Sequence, residues 1–277
     1  MSEGAGDLVR LERVGDVAEI VFDAPPVNQL SPELVDGLEA AIDGVGDARA
    51  VAIVSAVPKV FMAGGDIKLM ASAPVAEQGR YIRRLQATFH ALEMLEVPVV
   101  VGIDGAALGG GTEIALACDI RIAAADATLG QPESTLGIFP GGGGTHRLVR
   151  SVGQTVALDL MMSGRRISGE EAGAYNLVSR VVGSGAATAA AKELAAELGA
   201  GATEALRAIK RLGSASYDVP PIQGFAAEAA EWTRVRESAN AQEGLSAFLE
   251  RRSPNFTAPQ PPETEAGRRQ PRARREG

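Results

Sequence analysis

The sequence predicts an α/β chain, on three observations. Short apolar runs with β-strand character alternate with stretches of helical period through about residue 182. Two glycine-rich segments stand where a strand gives way to a helix. The remainder of the chain turns helical.

Residues 8–14 and 17–22 are β-prone and separated by Gly15-Asp16, which signals a hairpin. Ser31-Pro32-Glu33 opens a helix: Ser31 suits the N-cap, Pro32 the first helical position, and Leu34, Leu38, Ala41 and Ile42 recur at helical spacing. Residues 50–54 form a short apolar strand, 80–95 a helix, and 97–103 a second strand. A helix over 112–118 and a strand over 120–124 follow, so the pairing should be mostly parallel. Beyond residue 182 the stretches 186–198, 203–212 and 225–252 are Ala- and Glu-rich with helical period. This divides the chain into an α/β core over 1–182, a helical region over 183–256, and a tail over 257–277. The tail is rich in Pro, Glu and Arg, lacks apolar period, and reads as disordered and solvated.

Composition narrows the function classes. Hydrophobic residues make up 45% and charged residues 22% of the chain, which is ordinary for a globular protein, while aromatics at 4% leave the core to Ala, Val, Leu and Ile. A net charge of −8 argues against nucleic acid as the main partner. The lone cysteine, Cys118, excludes an internal disulfide or a cysteine-based zinc cluster. No apolar run is long enough to span a bilayer and no apolar leader follows Met1, so a soluble cytoplasmic protein is expected.

Three segments carry chemistry. In Phe61-Met62-Ala63-Gly64-Gly65-Asp66-Ile67-Lys68, small residues before a helix leave backbone N–H groups open to a ligand. In the segment 105–113, Gly109-Gly110-Gly111 precede Thr112-Glu113 at the start of a helix. Three glycines there are entropically costly, so a ligand or another chain segment must approach the backbone closely. Unpaired N–H groups at such a helix start suit an oxygen that gains negative charge during a reaction. A phosphate loop is excluded because no Gly-Lys-Ser/Thr follows, and a dinucleotide fingerprint because the glycine spacing is wrong. The third segment, Gln131-Pro132-Glu133 and the glycine run 141–144, brings a second carboxylate. Two carboxylates beside one set of N–H donors can share a water, one taking a proton and the other giving one.

These segments, their order, and the twenty residues between Glu113 and Glu133 resemble the enoyl-CoA hydratase/isomerase (crotonase) superfamily, most closely its hydratases. The resemblance runs from residue 8 to about 256 and includes a C-terminal stretch over 243–252. It implies a spiral of repeated strand–strand–helix units with a helical C-terminal region that packs against partner subunits in a homotrimer or a dimer of trimers. It implies an acyl-CoA thioester substrate, reversible addition of water to a trans-2-enoyl-CoA, and no metal or redox cofactor. By residue, it places Ala63 and Gly110 as the backbone oxyanion donors and Glu113 and Glu133 as the acid–base pair. Coenzyme A contacts would fall to Ala63, Gly64, Gly65, Asp66 and Ile67, with Phe248 and Arg251 reaching in, often from a neighbouring copy. Gly65 stands where many members have Ala, Thr112 where Cys is frequent, and Arg251 where Lys is common. Isomerisation, another acyl-CoA reaction of the superfamily, or a binding role without catalysis are the alternatives. His90, His146 and Cys118 match no catalytic role, and Met70, Leu95, Phe139 and Met161 are candidates for the acyl pocket.

Overall fold

A computed structural model describes residues 8–257. The chain opens with the expected hairpin: β1 (Val9–Val14) and β2 (Val17–Phe22) pair antiparallel around Gly15 at φ 58°. Helix α1 (Pro32–Asp43) starts as the sequence indicates, with the Ser31 hydroxyl accepting from the Leu34 N–H at 3.3 Å. Next come β3 (Ala50–Ser55), β4 (Val60–Met62), α2 (Ile67–Ser72) and α3 (Val75–Glu93). Then follow β5 (Val99–Ile103), β6 (Ala106–Leu108) and α4 (Gly110–Leu116). β7 (Ile120–Ala124) and β8 (Thr128–Gly130) lead into a 3-10 turn (Pro132–Leu136), α5 (Gly144–Val152) and α6 (Gln154–Ser163). β9 (Arg166–Ser168), α7 (Gly169–Ala174) and β10 (Arg180–Val182) complete the strands. Four helices close the described chain: α8 (Ala187–Gly199), α9 (Thr203–Ala215), α10 (Pro221–Arg236) and α11 (Ala239–Glu250).

The strands form two sheets. The larger has the order β1-β2-β3-β5-β7-β10 and the smaller β4-β6-β8-β9. The strand–strand–helix unit is visible in the distribution: β3, β5 and β7 lie side by side in the large sheet, and the strand after each, β4, β6 or β8, joins the small one. All pairings are parallel except the first hairpin and β8 with β9. The three-residue strands are too short to show a period of two, which is why the sequence does not reveal them.

Every residue of β2 and β5 is buried, as befits strands covered on both faces. One cover is α8, whose Ala187, Ala191, Leu194 and Ala195 pack against β3 and β5. The fit is close enough that a Cβ on Gly102 would stand 2.6 Å from the Ala187 carbonyl oxygen. The Asp104 carboxylate fixes the start of α8 by accepting from the N–H groups of Ala187 and Thr188 at 3.0 and 2.8 Å. The core therefore continues through α8, past the boundary at 182/183 that the change in composition suggests; the outlying layer is α9–α11. Within it, the helical run expected over 225–252 is two helices, because Ser238 re-caps the chain by accepting from the Ala241 N–H at 3.1 Å. Of the tail expected over 257–277, all but Thr257 lies outside the described residues.

Candidate active site

The three chemical segments converge because of the small sheet. β4, β6 and β8 are adjacent and parallel, so the loops that follow them leave from the same edge. The first carries Ala63–Asp66, the second Gly109 and Gly110, the third Gln131–Glu133. Ligand sites in parallel sheets commonly form beyond the carboxyl ends of the strands.

The β6–α4 turn depends on Gly109, which holds φ 54° and ψ −120°. Only glycine adopts that conformation without strain. A Cβ there would also stand 2.7 Å from Glu133 Oε1, so the second carboxylate lies directly over this turn. Thr112 locks the turn to β8: its hydroxyl donates to the Ala107 carbonyl at 2.6 Å and accepts from the Gly130 N–H at 3.3 Å. The Cys-to-Thr difference from the family pattern thus supplies a buried hydrogen bond on each side.

Glu113 follows on α4 and is only 3% exposed. Its Oε1 accepts from the Gly144 N–H at 2.8 Å, and the Gly142 N–H also faces it. The turn carrying those donors is tied down by Arg147, which donates to the Gly142 carbonyl at 3.1 Å and pairs with Glu93 at 2.9 Å. Burial raises the affinity of Glu113 for a proton, against the pull of the two N–H groups and Arg147. Glu133 is pushed up to about 7, chiefly by burial and further by the charge of Glu113. Gln131 is buried beside it with its amide against the Glu133 oxygens, and with that amide turned its nitrogen donates to them at 3.1 and 3.2 Å.

The backbone donors differ from expectation at one position. The Ala63 N–H donates to the Val27 carbonyl at 3.0 Å and is not free to hold a substrate oxygen. The open N–H lies two residues on, at Gly65, past Gly64 at φ 104°. The neighbouring Gly64 carbonyl accepts from Leu30 at 2.9 Å, in a parallel bridge that leaves the Gly65 N–H without an acceptor among the described residues. The Gly110 N–H, first in its helix, is likewise unpaired. Gly65 and Gly110 line one cavity of about 500 Å³, together with Glu113 and Glu133.

The loop carrying Gly65 is set by a residue that the sequence does not single out. Asn28 is fully buried at φ 48°, accepts from the Ala24 N–H at 2.8 Å, and donates to the Phe61 carbonyl at 2.9 Å and the Ser55 hydroxyl at 2.8 Å. It pins the segment whose Val27 carbonyl takes Ala63. Ile67, Met70 and Phe139 line the cavity. Asp66 instead caps α2, accepting from the Leu69 N–H at 2.9 Å, and Lys68 is exposed. Ala63, Gly64 and Asp66 flank the cavity without lining it. Leu95 lines a separate cleft of about 730 Å³ between α3, α5 and α9, and Met161 belongs to the core. Phe248, 80% exposed on α11, and Arg251, its cap, do not line the cavity within this chain. His90 and His146 are exposed, and Cys118 is a buried thiol pushed up to about 12 by its surroundings.

A sheet edge presenting one buried and one half-buried carboxylate opposite two unpaired N–H groups is built for acid–base chemistry on a polarised carbonyl. Comparison with known proteins gives the class. Residues 12–259 match the family model described as enoyl-CoA hydratase/isomerase. Human mitochondrial methylglutaconyl-CoA hydratase is 38% identical over 236 residues, covering 83% of this chain and 70% of that protein. A probable enoyl-CoA hydratase of Bacillus subtilis (strain 168) is 38% identical over 244 residues, covering 87% of this chain and 95% of the relative. The crystal structure of an enoyl-CoA hydratase from Bacillus anthracis superposes with a TM-score of 0.86 at 35% identity, over 90% of this chain and 98% of that one. The fold is thus the crotonase fold, and the protein is an enzyme of the hydro-lyase type. The chain belongs to the enoyl-CoA hydratase/isomerase family.

Proposed function

We propose that the protein reversibly adds water, in the syn sense, to a trans-2-enoyl-CoA, giving the 3-hydroxyacyl-CoA. The observation that carries this reading is the single cavity shared by Glu113, Glu133, Gly65 and Gly110. The thioester carbonyl oxygen would accept from the Gly65 and Gly110 N–H groups. Glu113, as carboxylate, takes a proton from the water whose oxygen bonds to Cβ. The π electrons move toward the carbonyl, and the enolate oxygen is held by the two donors. Glu133, in its acid form, then gives a proton to Cα. Burial raises the proton affinity of both carboxylates; the Gly144 N–H favours the charged form of Glu113, while Glu133, pushed up to about 7, can serve as an acid near neutrality, which supports that division. Net transfer of the proton from Glu113 to Glu133 resets the pair. N–H donors suffice for the enolate, so the proposed reaction uses no cofactor.

The loop from Gly64 to Ile67 would lie along the coenzyme A arm. Phe248 and Arg251 would reach a cavity only in a neighbouring copy, in a homotrimer or a dimer of trimers. The exposed Ile222, Phe225, Trp232 and Leu249 on α10 and α11 support such an assembly. Among the described residues no helix is long and apolar enough to cross a membrane.

The test is the loss of enoyl-thioester absorbance when purified protein meets trans-2-enoyl-CoA. Turnover supports hydration. Migration of the double bond in a 3-enoyl-CoA without hydration would make the protein an isomerase using Glu133 alone. Binding with neither reaction would leave a family member without catalysis.

A further inference from the structure

The cavity's outer wall bears on the acyl group itself, an inference that rests on the hydratase reading and deepens it. Helix α3 presents Gln78, Tyr81, Ile82 and Leu85 on one face toward the cavity, with Glu77 a step before them. Ile82 packs against Gly141, at the turn over Glu113. At 1.5 Å per residue, Glu77 lies about 8 Å along the helix from Ile82, away from the paired glutamates. Met70, Ile82, Leu85 and Phe139 make the intervening surface apolar.

Among the described residues, the charged groups lining this cavity are all acidic: Glu77, Glu113 and Glu133. The polar donors of the α3 wall are spent on backbone. The Gln78 amide donates to the Met70 and Ala73 carbonyls at 2.6 and 2.8 Å, and the Tyr81 hydroxyl to the Leu30 carbonyl at 2.8 Å. Neighbouring cations do not reverse the sign. Arg84 is held by Asp36 and Glu39, and Arg80 makes only a long ion pair with Glu77, at 3.8 Å between two exposed side chains, which solvent screens. A carboxylate at the far end of the acyl chain would lose part of its water against the apolar wall, find no donor there, and face Glu77.

We propose that this enzyme takes uncharged, apolar acyl groups and discriminates against acyl groups ending in a carboxylate, with Glu77 as a specificity-determining residue. Repulsion by one carboxylate at a half-solvated site, added to unpaired desolvation, amounts to at least a tenfold difference in kcat/KM.

The experiment compares three trans-2-enoyl-CoA substrates of matched length, ending in methyl, methyl ester or carboxylate. The ester is close in shape to the carboxylate but uncharged, so it separates charge from size. Methyl and ester forms should agree within a few-fold, with the carboxylate at least tenfold lower. Glu77→Gln should narrow the carboxylate-to-ester gap at least threefold, and Glu77→Lys further; a ratio of rates cancels any general loss in the variants. Equal or better turnover of the carboxylate by the wild type, or a gap unmoved in both variants, overturns the proposal. Calorimetric binding of the matching saturated acyl-CoAs gives a second readout. If no substrate is hydrated, the hydratase reading fails by itself, and selectivity is judged on binding: tenfold weaker binding of the carboxylate form supports it, and equal binding overturns it.

Discussion

Glu113 and Gly144 meet across the active-site turn: the Gly144 N–H donates to Glu113 Oε1 at 2.8 Å. The bond leaves Oε2 facing Gly142 and the cavity, so one oxygen of the carboxylate is fixed while the other is available to a water. Arg147 holds the turn in place, although nothing in the sequence marks it out. Arg147→Leu should lower kcat about tenfold with a smaller change in KM, because misplacing a base costs rate more than binding. Arg147→Lys should recover part of the loss. Steady-state kinetics on the two variants check this; an unchanged kcat in Arg147→Leu would show that the turn holds itself.

Two glycines of the site should respond in opposite ways. Gly109 combines a backbone region closed to other residues with a Cβ position 2.7 Å from Glu133 Oε1. Gly109→Ala should cost at least about a hundredfold in kcat/KM through displacement of the turn and of Glu133. A Cβ on Gly65 meets only the mobile end of Met70, at 2.8 Å. Gly65→Ala should stay within a few-fold of wild type, and kinetic constants for the pair decide the matter.

The raised proton affinity of Glu133 has consequences for rate and for stability. If the acid form delivers the Cα proton, the hydration rate should fall as pH rises through about 7. For stability, a carboxyl raised from 4.5 to about 7 on folding contributes most below 4.5, and that contribution is lost as pH rises toward 7 and beyond. Glu133→Gln should therefore flatten this part of the stability–pH curve. Above pH 7 it should gain about 1–2 kcal/mol relative to wild type, a figure discounted for partial solvent screening. Thermal melts at pH 5 and pH 8 test the sign.

Asn28 supports the site from beneath. Its removal leaves the buried Phe61 carbonyl and the part-buried Ala24 N–H without their partner. Asn28→Ala should cost about 2–4 kcal/mol in denaturant unfolding. A cost below 0.5 kcal/mol would mean that the loop before α1 is held by other contacts.

Much of this was legible in the sequence, for physical reasons. Ser31-Pro32 marks the start of α1, and Gly15-Asp16 the hairpin, because capping and turn chemistry are local. Glu113 and Glu133 stand out because glycine runs flank them, and costly glycines point to close approach. The fold family was carried by motif order. What escaped was relational. The sequence cannot show that the Ala63 N–H is consumed by Val27, since that bond joins residues 36 apart through Asn28's loop. Gln131 lies inside the quoted motif, yet its pairing with Glu133 needs the geometry of the 3-10 turn. The short strands β4, β6 and β8 carry too few residues for periodicity, although their parallel edge assembles the site.

In the proposed reaction Glu113 and Glu133 act together on one water and one enoyl thioester. The most direct test is turnover of a trans-2-enoyl-CoA by Glu113→Gln and Glu133→Gln, with binding of the matching saturated acyl-CoA measured alongside. Each variant should lose roughly 10²–10⁴-fold in kcat while binding changes by less than about tenfold. Wild-type turnover in either variant would contradict the two-carboxylate account.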